Sequence, residues 1–208
     1  MKHLYLMRHG QTRLNAAGLN QGAWDAPLTP LGISQARLAG QWFNEQGISF
    51  DAAVSSTKER ASDTLEIVAG LKDGDYARDR RLSEWDFGLF EGQNATLNPP
   101  PLQPDEGTIS FGKAYVGYGG ESDTAVSDRM DKAMTDIVSS SAQTSLVVSH
   151  GGSIYLWLQR HFEQEAVRRL LPFGNCAIFE LTYEDGRFEL VQMIDPTTKS
   201  KQCFRRST

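Results

Sequence analysis

The sequence predicts an α/β fold, a three-layer α/β/α sandwich built on a mostly parallel central sheet. Short apolar runs that read as buried strands alternate with stretches whose apolar residues recur at helical spacing. Two of these runs each end in a histidine followed by glycine. Leu4-Tyr5-Leu6-Met7 leads into Arg8-His9-Gly10, and Leu146-Val147-Val148-Ser149 leads into His150-Gly151-Gly152. Ligands of open α/β sheets bind at the carboxyl ends of the strands, so both endings suggest one pocket at one edge of one sheet.

Taken in order, the first strand is expected over residues 2–7. Thr29-Pro30 opens a helix with a capping hydroxyl and a proline in the first turn. Ile33, Ala36, Ala39 and Phe43 follow at helical spacing, with Gly40 on the same face leaving room for a neighbour. Residues 50–55 read as the next strand. A helix from about Thr57 to Leu71 carries Ala61, Leu65 and Val68 on one face, and another from about Asp123 to Ser140 carries Val126, Met130, Ala133 and Ile137. Residues 145–149 make a third strand, and 153–162 and 164–171 make two short helices. Residues 177–183 and 187–194 pair as a hairpin around Glu184-Asp185-Gly186.

The one long irregular stretch, about 92–121, holds Pro99, Pro100, Pro101 and Pro104, then Gly112, Gly117, Gly119 and Gly120. Loops of this length are functional or disordered, and Tyr115 and Tyr118 favour an ordered, lid-like segment. Nothing reads as a repeat or a linker, so residues 1–208 are expected to form a single domain.

Composition narrows the function. A chain of 208 residues with 39% apolar and 23% charged residues is ordinary for a soluble globular protein. No run approaches the roughly 20 apolar residues of a membrane span, so no membrane partner is expected. Leu4 to Met7 is too short for a signal peptide and runs straight into Arg8. Cys176 and Cys203 give neither a disulfide framework nor metal-ligand spacing, and a cytoplasmic location is the default. The net charge of -5 argues against general nucleic-acid binding. It leaves room for an anionic substrate held by local arginines.

Phosphoryl transfer needs a nucleophile in line, positive charge on the equatorial oxygens and an acid for the leaving oxygen. His9 offers an imidazole that is nucleophilic near neutral pH. Arg8 lies beside it, and Arg60 opens the helix after the strand that ends at Ser55-Ser56; guanidinium forks suit phosphate oxygens. The dipole of that helix adds to them. Glu84, in Arg81-Leu82-Ser83-Glu84-Trp85, is expected in apolar company, where burial would keep a proton available for donation. Singly, each has a plainer account: a histidine at a strand end, a solvated carboxylate, an exposed arginine, a tight turn at His150-Gly151. Their joint occurrence in alternating α/β order favours the site. His3 and His161 are read as lying outside it.

The chain resembles the histidine phosphatase superfamily, the group of phosphoglycerate mutases and their phosphatase relatives. The resemblance rests on five blocks in the family's order. They are Leu6-Met7-Arg8-His9-Gly10-Gln11-Thr12 with Asn15, Gln21-Gly22, Asp25 and Pro27-Leu28-Thr29; Ser55-Ser56-Thr57-Lys58-Glu59-Arg60-Ala61; Leu82-Ser83-Glu84 with Gly88 and Glu91-Gly92; Gly120-Glu121-Ser122; and Val148-Ser149-His150-Gly151-Gly152. The resemblance implies His9 as the phosphorylated nucleophile and Glu84 as proton donor, with Arg8, Arg60 and His150 around the phosphoryl group. It implies hydrogen bonds to that group from Asn15, Gln21 and the backbone of Gly22 and Gly151. No metal and no cofactor are implied, because cationic side chains, His150 as imidazolium among them, supply the charge.

Within the family the sequence favours a phosphatase of the histidine acid phosphatase type, acting on a small phosphorylated metabolite, over a mutase. Mutases resemble Gly-Glu-Ser-x-Trp-Asn where this chain has Gly10-Gln11-Thr12-Arg13-Leu14-Asn15. Their Gly-Trp pair appears here as Gly22-Ala23, and their Glu-Arg-His-Tyr-Gly as Glu84-Trp85-Asp86-Phe87-Gly88. Phosphoglycerate mutase is the alternative. A catalytically dead binding module would be expected to lack His9, Glu84 or an arginine, and all are present. The expected partner is a small phosphate monoester, a homodimer being compatible with the sequence. Trp24, Trp85, Phe87, Phe90, Tyr115 and Tyr118 lie near these motifs or in the lid-like segment, and two readings weigh equally: most of them are core, or a few line an apolar leaving-group pocket. Lys58, Lys113 and Arg13 are the candidates for reading a second anionic group.

Overall fold

The computed structural model describes residues 1–100 and 110–204. Its elements in chain order are β1 (Lys2–Arg8), α1 (Arg13–Ala16), α2 (Pro30–Glu45), β2 (Ala52–Ser55), α3 (Glu59–Ala69), β3 (Ala77–Arg78), α4 (Asp123–Ser139), β4 (Thr144–Ser149), α5 (Gly151–His161), α6 (Gln164–Arg169), β5 (Ile178–Glu184), β6 (Arg187–Asp195) and β7 (Ser200–Cys203).

The layers follow from the apolar run in β1. Successive strand side chains point to opposite faces, and here Leu4 and Leu6 join one buried cluster while Tyr5 and Met7 join another. A strand apolar on both faces has to be covered on both. The Leu4–Leu6 cluster contains Val126, Met130, Ala133, Met134 and Val138 of α4 and Ile154 to Leu158 of α5. The Tyr5–Met7 cluster contains Ala36, Ala39, Trp42 and Phe43 of α2 and Ala61, Leu65 and Val68 of α3. A Cβ on Gly40 would lie 2.8 Å from the Val68 carbonyl oxygen. The glycine therefore lets α2 and α3 approach, where overpacking costs about 1–3 kcal/mol.

The seven strands lie in the order β3-β2-β4-β1-β5-β6-β7. The pairs from β3 to β1 are parallel and those from β1 to β7 antiparallel. The expected α/β/α sandwich is what forms, with the 178–195 hairpin extending the sheet beyond its parallel core. Thr29 caps α2 as expected, its side chain accepting from the Gly32 N–H at 3.0 Å. α1, β3 and β7 went unanticipated, because none carries an apolar period: neither residue of β3 is buried, and α1 has no buried residue.

The segment expected to be lid-like, 92–121, includes 101–109, which lie outside the described residues. In its described part Tyr115 is fully buried, against Trp85, Phe87, Phe90 and Phe111 at ring-centroid distances of 5.2 to 5.6 Å. The six aromatics divide accordingly: Trp85 and Tyr115 are core, Phe87 and Phe90 pack against it, and Trp24 and Tyr118 are exposed. Among the described residues, no helix is long and apolar enough to cross a membrane.

Candidate active site

The parallel register of β1 and β4 sets Arg8 opposite Ser149. The next residue on each strand is therefore His9 or His150. The two rings come together with centroids 5.1 Å apart and both side chains buried, and the His9 N–H donates to the Ser149 carbonyl at 3.0 Å. His9 Nδ1 lies 2.7 Å from the Gly10 carbonyl oxygen. A carbonyl can only accept, so Nδ1 carries the hydrogen and Nε2 keeps a lone pair. His150 Nδ1 accepts from Arg60 Nε at 3.2 Å, which puts the hydrogen of a neutral ring on Nε2.

Burial, reinforced by the charges of Arg60 and Arg8, holds His9 well below the ordinary histidine pKa. Burial together with Arg60 does the same to His150. The expectation of His150 as an imidazolium is corrected here: in this pocket an arginine donates to it, and it is neutral.

Arg60 is fully buried as the second residue of α3. Besides His150, it donates from Nη1 to the Trp24 carbonyl at 2.8 Å and to Asp25 Oδ1 at 2.9 Å, and from Nη2 to the Gly22 and Gln21 carbonyls at 3.0 and 3.4 Å. The guanidinium thus ties the 21–25 loop to the histidine pair. Arg8 Nη1 donates to the Phe173 carbonyl at 3.0 Å, and a Cβ on Gly151 would sit 3.3 Å from Arg8 Nε. Gln21 accepts from the Thr12 hydroxyl. Arg8 Nε, Gln21 Nε2 and His150 Nε2 are buried with no hydrogen-bond partner. Asn15 Oδ1 and the His9 carbonyl both accept from Asn175 Nδ2, at 3.3 and 3.1 Å.

Glu84 is 9% exposed, but its oxygens are not in the apolar company expected of them. Oε1 accepts from the N–H groups of Trp85 and Ser153 at 2.9 and 2.8 Å, and Ser153 Oγ lies 3.2 Å away. Oε2 accepts from the Gly152 N–H at 3.0 Å. The carboxyl therefore sits on the N-terminus of α5, the helix that His150 begins, where free N–H groups meet its oxygens. A Cβ on Gly152 would come within 2.8 Å of Oε1, so any larger residue there would make the carboxyl shift.

Gly22 departs from its expected role. Its N–H is taken by Glu91 Oε2 at 3.0 Å, and the same carboxylate accepts from Ala23, Trp24 and Phe87 at 2.8, 3.1 and 3.0 Å. Glu91 and Arg60 together fix the 21–25 loop, one through its N–H groups and the other through its carbonyls.

A second organiser, Arg129 on α4, carried no role in the sequence reading. It pairs through Nε and Nη2 with both oxygens of Glu121 at 2.9 and 2.8 Å, and donates to the carbonyls of Arg81, Ser83 and Glu84. Its only trace in the sequence is a charged residue beside the apolar stripe of α4, three residues after Val126. His161 lies away from the site, 2.6 Å from Asp131.

Comparison with known proteins identifies the family. The sequence model of the histidine phosphatase superfamily (branch 1) matches residues 4–196. A Yersinia pestis protein named for phosphoglycerate mutase is 32% identical over 194 residues, covering 89% of this chain and 87% of its own. A Hydrogenobacter thermophilus protein named for phosphoserine phosphatase is 32% identical over 171 residues, 74% of this chain and 76% of its own. Among solved structures, a phosphoserine phosphatase mutant from Entamoeba histolytica in complex with phosphoserine superposes with a TM-score of 0.75 at 26% identity. It covers 93% of this chain and 96% of that one.

Proposed function

The chain belongs to the histidine phosphatase superfamily, and from that premise we propose that it is a metal-independent phosphomonoester hydrolase of the histidine acid phosphatase type. Its substrate would be a small phosphorylated metabolite, and His9 would carry the phosphoryl group. One observation supports this most: Arg8 Nε, Gln21 Nε2 and His150 Nε2 are buried donors with no hydrogen-bond partner, and the His150 ring lies 5.1 Å from a neutral His9 imidazole with a lone pair on Nε2. Each unpaired buried donor costs about 1–3 kcal/mol, and the oxygens of a phosphoryl group supply the missing acceptors.

In this reading His9 Nε2 attacks phosphorus as the ester P–O bond breaks, and Glu84 gives a proton to the leaving oxygen. Glu84 Oε1 already faces three donors and Oε2 faces Gly152 alone. Oε2 is thus the oxygen with room for the proton. Water then attacks the phosphohistidine while Glu84 takes up its proton, the P–N bond breaks, and inorganic phosphate leaves with His9 restored. Arg8 and the His150 Nε2–H would donate to the equatorial oxygens, while Arg60, whose five N–H groups are already engaged, would contribute its charge.

Phosphoglycerate mutase activity stands as a second reading because of the Yersinia pestis relative. Phosphatase activity is favoured by the Hydrogenobacter and Entamoeba relatives and by Ala23 and Trp85-Asp86 standing where mutases resemble other residues.

The test is release of free phosphate from a panel of monoesters with EDTA present throughout, 3-phosphoglycerate included. Steady release, abolished by His9→Ala, is expected. Conversion of 3-phosphoglycerate to its 2-isomer without release would establish the mutase instead, and residual turnover by His9→Ala would remove His9 as nucleophile.

A further inference from the structure

The lone pair on His9 Nε2 exists only while Nδ1 carries the ring hydrogen. Among the described residues Nδ1 meets one acceptor, the Gly10 carbonyl at 2.7 Å. A histidine free in water prefers the other tautomer, with its hydrogen on Nε2. The form needed for attack on phosphorus therefore has to be held, and the hydrogen bond made by the far nitrogen holds it.

The Gly10 carbonyl belongs to the peptide that joins Gly10 to Gln11, and the N–H of that same peptide donates to Gln35 Oε1 at 3.0 Å. Gln35 lies on α2, 24 positions along the chain. Among the described residues it is the only partner of that N–H. One continuous chain of hydrogen bonds results, from His9 Nδ1–H through the Gly10–Gln11 amide to the Gln35 side chain. Hydrogen bonds in series polarise one another. An acceptor behind the amide strengthens the bond that His9 makes in front of it.

The peptide before Gly10 is held as firmly. Its N–H donates to Thr64 Oγ1 at 3.0 Å, and its carbonyl accepts from Asn175 Nδ2 and the Cys176 N–H at 3.1 and 3.3 Å. A Cβ on Gly10 would lie 2.6 Å from the Gly32 carbonyl oxygen, and one on Gly32 would lie 2.1 Å from that of Gln11. The two glycines let the first turn of α2 close on the end of β1, which brings Gln35, one turn further on, within reach of the amide. Sheet register sets where the His9 ring lies, but it does not choose between the ring nitrogens.

We infer that Gln35 is a positioning residue for the nucleophile, acting through the Gly10–Gln11 peptide to keep the lone pair of His9 on Nε2. The effect on turnover rests on the hydrolase reading; the tautomer does not.

The test sets Gln35→Met, which removes the acceptor from a side chain of similar length, beside Gln35→Glu, which keeps an acceptor oxygen. The ¹⁵N chemical shifts of the His9 ring, assigned against His9→Ala, read the tautomer in the resting protein near neutral pH. The wild-type chain is expected to show Nδ1 protonated and Nε2 bare. Gln35→Met should bring the two shifts toward each other as the second tautomer becomes populated, and Gln35→Glu should restore them. In step, kcat/KM on an aryl phosphate should fall by about tenfold in Gln35→Met, well short of the loss of about 10⁴-fold that a fully wrong tautomer causes in a catalytic triad. Gln35→Glu should recover most of the rate. Inhibition by inorganic phosphate should be unchanged in both variants, because the donors Arg8 and His150 are untouched.

Ring shifts that do not move in Gln35→Met, or a loss of rate that Gln35→Glu shares in full, overturn the assignment. If Gln35→Met fails to fold, hydrogen exchange of the Gln11 amide in the wild-type chain decides: protection supports the bond to Gln35, and exchange as fast as in an open loop overturns it. If the wild-type chain hydrolyses no monoester, the hydrolase reading fails alone, and the ring shifts still decide the role of Gln35.

Discussion

The two sides of the site are assembled by different physics. On the phosphoryl side, His9 and His150 are the residues that follow paired positions of two central parallel strands, and the sheet register alone brings them level. On the acid side, residues 83–87 belong to no strand. They are held by side chains from elsewhere: Arg129 on the carbonyls of Ser83 and Glu84, Glu91 on the Phe87 N–H, and Ser153 Oγ 2.6 Å from the Ser83 carbonyl. A group set by sheet register moves only if the core moves. A group set by a few side-chain bonds can be displaced one bond at a time. Under the proposed roles, the position of the nucleophile should therefore tolerate changes at a distance and that of the acid should not.

The sharpest way to break that contrast is Glu84→Gln. The amide cannot give up a proton to the leaving oxygen, and loss of a positioned acid typically costs about 10²- to 10⁴-fold. The loss should fall on alkyl phosphates, whose leaving oxygen needs protonation, and be far smaller on aryl phosphates. A uniform loss would mean that Glu84 organises the N-terminus of α5 and donates nothing. A stopped-flow burst on an aryl ester would show whether phosphorylation of His9 survives the substitution.

The next test moves the acid without touching it. Arg129→Met keeps an unbranched apolar stem and removes the five donated bonds of the guanidinium. Misplacement of a reacting group by about 1 Å can cost on the order of a hundredfold. Here a loss of about ten- to a hundredfold on alkyl esters is expected, with aryl esters less affected. Three backbone carbonyls and Glu121 each lose a hydrogen bond, which should also lower stability by about 1–3 kcal/mol. If activity on both ester classes falls only in step with the melting temperature, Arg129 is structural and the contrast fails.

The same contrast explains what could be read in the sequence. His9 and His150 were legible because strand, histidine and glycine are contiguous in the chain, and periodicity places the strands. Arg60 was legible from its place at the start of α3, though not its engagement with the 21–25 carbonyls. The environment of Glu84 was misjudged because its donors, Gly152 and Ser153, lie 68 and 69 residues away. Gly22 was misjudged for the same reason: its N–H is claimed by Glu91, 69 residues away. Arg129 was invisible because its partners are mostly backbone carbonyls, and no residue type marks a carbonyl that needs a donor. Local pattern finds what the sheet positions and misses what side chains hold across the fold.

The smallest effect tests the phosphoryl side through stability. His9 and His150 are held neutral when folded, their pKa values lowered by burial and then by Arg60. In the unfolded chain each titrates near 6.5, so below that pH the unfolded state binds more protons than the native state, and stability falls as pH falls. Above about pH 7.5 this contribution is level. At pH 5.5 each histidine should have removed on the order of 1 kcal/mol relative to pH 7.5. Urea melts at the two pH values measure it, and His150→Gln should show about half of the histidine-linked loss. The catalytic limb should agree, with kcat/KM on an aryl phosphate not falling through pH 6.5 on the acid side as an ordinary histidine nucleophile would. If stability instead rises from pH 7.5 to 5.5, the buried pair is already charged in the native state. The lone pair on His9 Nε2, on which the phosphoryl side depends, would then be missing at neutral pH.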